Sequence, residues 1–593
     1  MENNTAIKTE WDLEKYFYSS LEDPQLDKDI EKYKNTVGEF RNRYKDKITS
    51  LNESEFIIYF RDLDYMSTLL DKVYMYLHFL QTLDMQDVKV QKKIMKVEKI
   101  SSELEEELVF IYEEYKKLGA DFFYKLSENP KFEEYKLFIK DIGDSIKYLL
   151  SEKEEILVNR FEDVTSNFNK IYDEHTTALE FEVDGKKYLE SEILSMRSDS
   201  DREVRKKANE ALAKEYNKLM TKVVLGRIYA SVCEENVLEK KTRGYNSVMT
   251  SFNESEHLSD EAVDTLLECV TNKFHLYHRF LDIKKKFLGY DELHIYDLLA
   301  SVDLGGGEMP KISFEEGWDK YISIIEKIDP KMAQYSKDML EGGRMSVFPK
   351  KGKQGGAYAN YTKTVPSFVM LNWNNKLDDL TTMAHELGHA FHGELQKKQN
   401  ALSYNTPLVL SETASIFNQT LLFEQILKEI EDKNKVKEMI VEYLDDIFST
   451  VFRQIQYVNF EKRCHNSFLN NEPLTYVEFD EMWTEETKKL LGNNVGSLEL
   501  ISSRWSQIPH IFMSPFYCYS YAFGNILSLN LIQMYHEAEN KEEFLAKYHE
   551  FLAAGGSETP EQLLERIFNL KLDEKFYDTA FKVVEDFIGE LEK

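Results

Sequence analysis

Residues 380–395 read Leu380-Thr381-Thr382-Met383-Ala384-His385-Glu386-Leu387-Gly388-His389-Ala390-Phe391-His392-Gly393-Glu394-Leu395. Leu380, Met383, Ala384, Leu387, Ala390, Phe391 and Leu395 recur at three- and four-residue spacing, the apolar stripe of a helix that faces a core. Asp378 and Asp379 put acid where such a helix starts. No proline interrupts from Leu371 to Thr406. His385 and His389 are four residues apart, so both imidazoles leave one face of that helix. Two neutral imidazoles so placed can grip one zinc ion, and Glu386 can reach a water beside it. Chance alone gives roughly 0.05 such HExxH pentapeptides in a chain of this composition, so the surroundings decide. They favour a built site. Gly388 costs about 1 kcal/mol against Ala in a helix interior, which makes sense if a substrate or a second helix must approach closely there.

A chain of 593 residues exceeds one ordinary core, so two or more subdomains are expected. It is 42% hydrophobic and 31% charged with only 24 Gly and 11 Pro, which points to a mainly α protein. A formal charge of −31 disfavours nucleic acid and anionic membrane as partners, since both need basic patches. The acidity reads as a device for solubility. Cys233, Cys269, Cys464 and Cys518 are scattered and form no CxxC pair, which suggests reduced thiols and no cysteine metal site. Met1-Glu2-Asn3-Asn4-Thr5 lacks the basic start of a signal peptide, and no stretch reaches ~18 uninterrupted apolar residues. The expected location is the cytoplasm.

Residues 12–177 are helical in pattern. Tyr59, Leu63, Met66, Leu69, Leu70, Val73 and Leu77 trace one buried helix face over 59–83, and residues 91–117 read as a long charged helix with a solvated face. Alternation from Leu179 to Tyr188 around Asp184-Gly185 signals a hairpin. A boundary near residue 190 would separate an N-terminal helical region, 1–190, from a catalytic region, 191–593. Helices resume over 201–287, a short strand or connector fills 290–303, and helical pattern returns over 314–340. Gly305-Gly306-Gly307 lacks the Gly-Lys-Ser/Thr of a phosphate loop and reads as a turn.

Near residue 345 the texture changes. Gly355-Gly356-Ala357-Tyr358-Ala359-Asn360 alternates small and aromatic residues, and Ser367 to Trp373 is an apolar, β-favouring run. Two paired strands should lead into the HExxH helix. Small residues on an edge strand leave room for an extended peptide to add as a further strand, although an ordinary hairpin has the same composition.

A catalytic zinc has three protein ligands and one open position. His392 falls on nearly the same face as the two histidines, but three successive turns span about 10 Å, too far for one ion with bonds of about 2 Å. Glu412 is the stronger candidate. Pro407 breaks the chain, Ser411 can cap, and a helix over about 412–427 with Ala414, Ile416, Phe417 and Leu421 as apolar positions can return antiparallel. A further constellation runs from Ile508 to Tyr521, with His510, two prolines and Tyr517, Tyr519 and Tyr521. These residues could stabilise charge on a carbonyl oxygen, or they could simply pack.

Several blocks, in order, resemble the M3 metallopeptidases, specifically the oligoendopeptidase F branch: Gly355-Gly356-Ala357-Tyr358, Leu371-Asn372-Trp373, Met383 to His392, Ser411-Glu412-Thr413-Ala414-Ser415-Ile416-Phe417-Asn418, and Ile508-Pro509-His510 through Ala522. The resemblance implies a mainly α, multi-helix ellipsoidal zincin-type fold with a deep substrate channel and a small antiparallel sheet beside the HExxH helix. It implies one Zn2+ per chain held by His385, His389 and Glu412, and Glu386 as the general base for an attacking water. It also implies that His510, Tyr521 and Tyr517 are donors to the oxyanion, while Gly355, Gly356, Ala357, Tyr358 and Tyr519 bind the substrate. The expected activity is that of a metalloendopeptidase acting on short oligopeptides. A zinc carboxypeptidase or dipeptidyl peptidase of similar fold, or a non-catalytic helical peptide-binding protein, are the alternatives.

Overall fold

Helix termini show why this sequence becomes helix almost throughout. At Glu53–Ser67, Asn52 accepts the Ser54 and Glu55 N–H groups while Glu55 reaches back to the Asn52 N–H. The pairs Ser313/Glu316 and Thr475/Glu478 place a hydroxyl and a carboxylate in the same way at Phe314–Ile328 and Tyr476–Leu491. Each such box satisfies donors that a bare helix start leaves unpaired. The computed structural model describes residues 8–307 and 311–593. The N-terminal pentapeptide read above lies outside the described residues.

The apolar interior divides in two. Phe17 to Ile142 build one core, to which Val365 and Phe368 are added. Tyr172 to Leu591 build a second and larger one. The strand Phe368–Met370 runs between them: Phe368 packs into the first core and Val369 into the second. Side chains on a strand alternate in direction, so a strand buried on both faces must be apolar at every position. That is the physical reason for the unbroken apolar run from Phe368 to Leu371.

This strand is central in a three-stranded sheet. Tyr358–Asn360 pairs with it antiparallel, Tyr358 opposite Met370 and Asn360 opposite Phe368. The antiparallel pair expected from the sequence is therefore present. Met345–Ser346 adds on the other side in parallel, making the sheet mixed. Tyr358–Asn360 is left as the outer strand.

The hairpin forms as Phe181–Val183 against Lys186–Tyr188, with Asp184 at φ 51° and Gly185 at φ 79°. Two positive φ values match a tight turn whose twist suits the strands. Its Phe181 and Val183 belong to the larger core. In the 290–303 stretch a two-residue strand, Leu293–His294, pairs in parallel with Val495–Gly496. The glycine cluster is a turn, held where the Leu304 and Gly306 N–H groups donate to the Glu438 carboxylate at 2.7 and 3.1 Å.

Two long helices expected from periodicity are each broken. Residues 59–83 fall on Glu53–Ser67 and Asp71–Leu83. At the break the Ser67 and Thr68 hydroxyls donate to the carbonyls of Asp64 and Tyr65, at 2.8 and 2.9 Å. Such back-bonding competes with the helical ladder. Both pieces bury the same side, so the apolar pattern runs through the break unmarked. Residues 91–117 likewise fall on Val88–Glu106 and Phe110–Leu118.

Candidate active site

The HExxH pentapeptide lies on the helix Leu377–Gln396. Asp379 fixes its start by accepting the Asn374 and Lys376 N–H groups at 2.7 and 2.9 Å. All seven stripe residues, Leu380 through Leu395, are buried. The return helix is Thr413–Glu429, and Glu412 sits at its entry, directly after the short helix Leu408–Ser411. The Ser411 hydroxyl donates back to the Leu408 carbonyl and does not cap the return helix, a correction to the sequence reading.

The two helices lie against each other backbone to backbone. A Cβ on Gly388 would stand 2.5 Å from the Ala414 carbonyl oxygen and 2.6 Å from Ser415 Cα. The second helix, then, is what requires this glycine. Asn418 ties the pair by donating to the Ala384 carbonyl at 2.6 Å. Behind Glu412, Gly524 of the helix Tyr519–Glu537 offers no side chain, and a Cβ there would reach the Glu412 Cβ at 3.1 Å.

This packing brings three donor atoms together. His385 Nε2 and His389 Nε2 stand 3.2 Å apart, and Glu412 Oε2 lies 3.4 and 3.2 Å from them. Among the described residues, these three form the one His/Cys/Asp/Glu cluster able to hold a metal ion. Burial alone would push the Glu412 carboxyl up, but the hydrogen bonds and charges of His385 and His389 outweigh it and hold the group far below the usual carboxylate range. Burial likewise opposes charge on His385, and its hydrogen bond to Glu412 overrides that and raises it. Ser415 Oγ donates to Glu412 Oε2 at 2.9 Å. His392 is outside this cluster: it is 1% exposed, its Nε2 is 3.2 Å from Gln396 Nε2, and burial pushes it down to about 3.

Glu386 is buried beside the cluster. Its carboxyl is raised by that burial, with His389 and His385 pulling the other way. The Ala359 N–H of the outer strand donates to it. Ala359 sits opposite Val369, whose N–H goes to the Arg344 carbonyl and whose carbonyl accepts Trp11 Nε1. The Ala359 peptide groups are therefore turned to the open edge of the sheet, where Glu386 meets them. Gly356, at φ 78°, makes the turn into this strand, and Asn372 Nδ2 holds the Gly356 carbonyl at 2.8 Å. Gly355 has nothing within 4 Å of where a Cβ would be. The Tyr358 hydroxyl is engaged with Thr82 Oγ1 at 2.7 Å, so the stretch from Gly355 to Tyr358 offers backbone and space more than side-chain chemistry.

His510 is exposed on the short helix Pro509–Met513. Its ring stacks on Tyr517 with centroids 5.6 Å apart and meets Tyr521 edge-on at 6.0 Å, while Tyr517 and Tyr521 cross at 5.2 Å. Partial burial lowers His510, which favours the neutral imidazole. Burial raises the Tyr521 phenol, with the Tyr517 hydroxyl and the Glu412 charge adding to it. The Glu412 charge is thus felt at Tyr521. Tyr519 is instead 0% exposed, and its ring packs edge-on against Phe252. Its expected contact with a substrate is corrected to core packing. Residues 517 and 521 are four apart and share a face of a helical turn, whereas 519 points the opposite way.

Two residues at the site escaped the sequence reading. Gln419 Oε1 lies 2.8 Å from His385 Nδ1 and fixes that ring. It follows Glu412 by seven residues, two helical turns along the same face, and that spacing was the signal available. Tyr361 packs over Gly393 and is raised to about 12 by burial, then by Glu412 and Glu386. Groups that orient metal-binding histidines are worth about 10- to 100-fold in metal affinity. Gln419→Leu should lose that much in a competitive chelator titration, with the fold unchanged by circular dichroism. An unaltered affinity would remove Gln419 from the site.

The family model described as Peptidase family M3 matches residues 195–582, and one described as Oligopeptidase F matches residues 114–181. The chain is 27% identical over 476 residues to Oligopeptidase PepF of Bacillus subtilis (strain 168), covering 78% of this chain and 69% of that one. It is 27% identical over 545 residues to an oligoendopeptidase F homolog of Lactococcus lactis subsp. lactis (strain IL1403), covering 89% and 88%. Among solved structures, a putative peptidase from Chlamydophila abortus superposes with a TM-score of 0.84 at 21% identity, covering 98% of both chains. Oligoendopeptidase-F from Enterococcus faecium gives 0.71 at 21% identity, covering 96% of this chain and 98% of that one. The histidine pair, the glutamate after Pro407 and the mostly helical body thus sit within a match spanning most of the chain, and the chain belongs to peptidase family M3, in its oligoendopeptidase F branch.

Proposed function

We propose that this peptidase is a zinc-dependent endopeptidase that hydrolyses internal bonds of short oligopeptides. The observation that carries the reading is the donor triangle of His385, His389 and Glu412 with Glu386 buried beside it at the sheet edge. Tetrahedral zinc with bonds of about 2.0–2.1 Å needs donor atoms roughly 3.3–3.4 Å apart, and the three gaps here are 3.2, 3.2 and 3.4 Å. Two imidazoles and one carboxylate are also a donor set that zinc accepts. A zinc ion held there supplies Lewis acidity toward a water and an amide carbonyl.

The chain's own residues do the rest. Glu386 takes a proton from the attacking water and hands it to the amine that leaves. Tyr521 and His510 donate hydrogen bonds to the carbonyl oxygen as negative charge builds on it, and Tyr517 braces both rings. The substrate lies extended along residues 355–360, its backbone against the open edge at Ala359. Four thiols, none bonded to another, suit a reducing compartment such as the cytoplasm. Among the described residues no helix is long and apolar enough to cross a membrane.

A series of peptides of increasing length, with products mapped by mass spectrometry, tests the reading. Internal cleavage should be abolished by a chelator and restored by zinc. Peptides blocked at both ends should still be cut, and failure to cut them would leave a carboxypeptidase or dipeptidyl peptidase instead. Tyr521→Phe should lower kcat by about 10²–10³-fold, the usual cost of one oxyanion donor, with KM nearly unchanged. A loss confined to KM would make Tyr521 a binding residue only.

A further inference from the structure

Phe516 has φ 69°, in the left-handed region that large side chains avoid. Among the described residues it is the one large apolar side chain so placed; the other non-glycine positions are Asp, Asn, His or Ser. A bulky residue holds that conformation only where its surroundings over-determine it. Phe516 immediately precedes Tyr517, whose ring stacks on His510 at 5.6 Å and crosses Tyr521 at 5.2 Å. The backbone between the stacked pair is one hydrogen-bonded unit. The Ser514 N–H donates to the His510 carbonyl at 2.8 Å, and the Tyr517 N–H donates to the Ser514 carbonyl at 3.2 Å. The conformation of Phe516 therefore sets the direction in which Tyr517 leaves this loop.

Two residues of one helix hold Phe516. The helix Arg453–Leu469 carries Glu461 and His465 four apart, so both leave one face. Glu461 Oε1 accepts the Phe516 N–H at 2.8 Å. The His465 ring meets the Phe516 ring at 4.8 Å, and its Nδ1 lies 3.1 Å from Asn236 Oδ1 on the helix Leu219–Arg243. Glu461, His465 and Phe516 are all fully buried. On its other side the segment Phe512 to Phe516 lines a cavity of about 460 Å³, which leaves it room to move once that hold is released.

Apolar packing alone would not call for a carboxyl here. Glu461 Oε2 is buried without a hydrogen-bond partner among the described residues. Burial raises the carboxyl to about 8 against the pull of the Phe516 N–H, so at pH 7 the group is mostly uncharged and serves as an acceptor, not as an ion. A half-satisfied polar group in a core needs a reason, and the bond it makes is to the strained peptide just before Tyr517.

We infer that Glu461 is a positioning residue of the hydrolytic site: from inside the core it holds the Phe516 peptide in the left-handed conformation and so fixes the stack of Tyr517 on His510 beside Tyr521; this rests on the donor reading above. Its effect runs through Phe516.

The test compares three variants of the zinc-loaded enzyme on one internally cleaved peptide. Glu461→Gln keeps a neutral oxygen acceptor of the same reach. Glu461→Asp withdraws the acceptor by one methylene, and Glu461→Met removes it at similar volume. The Met and Asp variants should lose about 10- to 100-fold in kcat with KM nearly unchanged, the scale of a group displaced by about 1 Å, while the Gln variant should stay within about threefold of the parent. In crystal structures the Met and Asp variants should show Phe516 out of the left-handed region and the 5.6 Å stack opened, and the Gln variant should keep both. A purely structural carboxyl would lower the melting temperature and leave kcat per folded, zinc-loaded chain untouched. That result, or an unmoved stack in the Met and Asp variants, overturns the proposal. If the Met variant does not fold, the Asp and Gln variants decide. His510→Ala on the otherwise unaltered enzyme tests the donor reading separately. If it leaves kcat unchanged, or if no peptide is cut at all, that reading fails, and the ring positions in the crystal structures still decide whether Glu461 holds Tyr517 and His510 in place.

Discussion

Replacing Glu386 by Gln is expected to cut the turnover of an internally cleaved peptide by about 10²–10⁴-fold, the range for loss of a positioned general base. The amide keeps the shape of the side chain and an oxygen that can still accept the Ala359 N–H. What it loses is basicity. Glu386 lies outside the donor triangle of His385, His389 and Glu412, so metal content by elemental analysis should remain at one ion per chain, and the melting temperature should hold. Burial of a carboxylate needs a reason, since an unpaired buried charge is costly. Here the adjacent imidazoles supply part of the compensation, and a bound cation would supply the rest. Near-normal turnover in the variant would end the assignment of Glu386 as base. Loss of the metal with turnover would make it a structural support of the site instead.

What the sequence could reveal followed from how far apart the cooperating residues are. His385 and His389 share one helix, so a spacing of four fixed their relation before any tertiary structure was known. Glu412 required one further step, a short return after Pro407, and the helix pair is closed by contacts local to that hairpin. Gln419 lay within the same reach and was missed because its partner atom, His385 Nδ1, is on the far side of the ring from the nitrogen that faces Glu412. The Ala359 N–H at Glu386 was not legible, because it depends on which peptide groups of the outer strand are left unpaired, and that is set by Arg344 and Trp11 from other elements. Tyr519 entered with the family resemblance and not from its spacing; the helical backbone turns it away from Tyr517 and Tyr521 and into the core. The broken helix at Ser67 and Thr68 shows the complementary limit, since hydrophobic periodicity reports which side is buried and is blind to a break that preserves the side.

Gly388→Ala is expected to have the opposite sign from its propensity. In an exposed helix interior this exchange stabilises by about 1 kcal/mol, because glycine loses more backbone freedom on folding. At Gly388 the new methyl would stand 2.5 Å from the Ala414 carbonyl oxygen and 2.6 Å from Ser415 Cα. Backbone atoms cannot rotate aside as a flexible side chain can, so the two helices must separate. Overpacking of this kind typically costs 1–3 kcal/mol. The displaced segment is the one that begins with Glu412, so separation pulls the third donor from the two imidazoles. A metal site 1 Å too loose loses much of its affinity. The variant should therefore melt at lower temperature and bind zinc at least about tenfold more weakly in a chelator competition. Gly589→Ala in Glu574–Glu592 is the matched control, a helical glycine with nothing within 4 Å of where a Cβ would stand. It should leave zinc binding alone and raise stability slightly. If both substitutions behave alike, close approach is not what Gly388 provides. If Gly388→Ala loses stability but keeps full zinc affinity, the helix contact and the donor triangle are independent, and the return helix does not hold Glu412 in place through that contact.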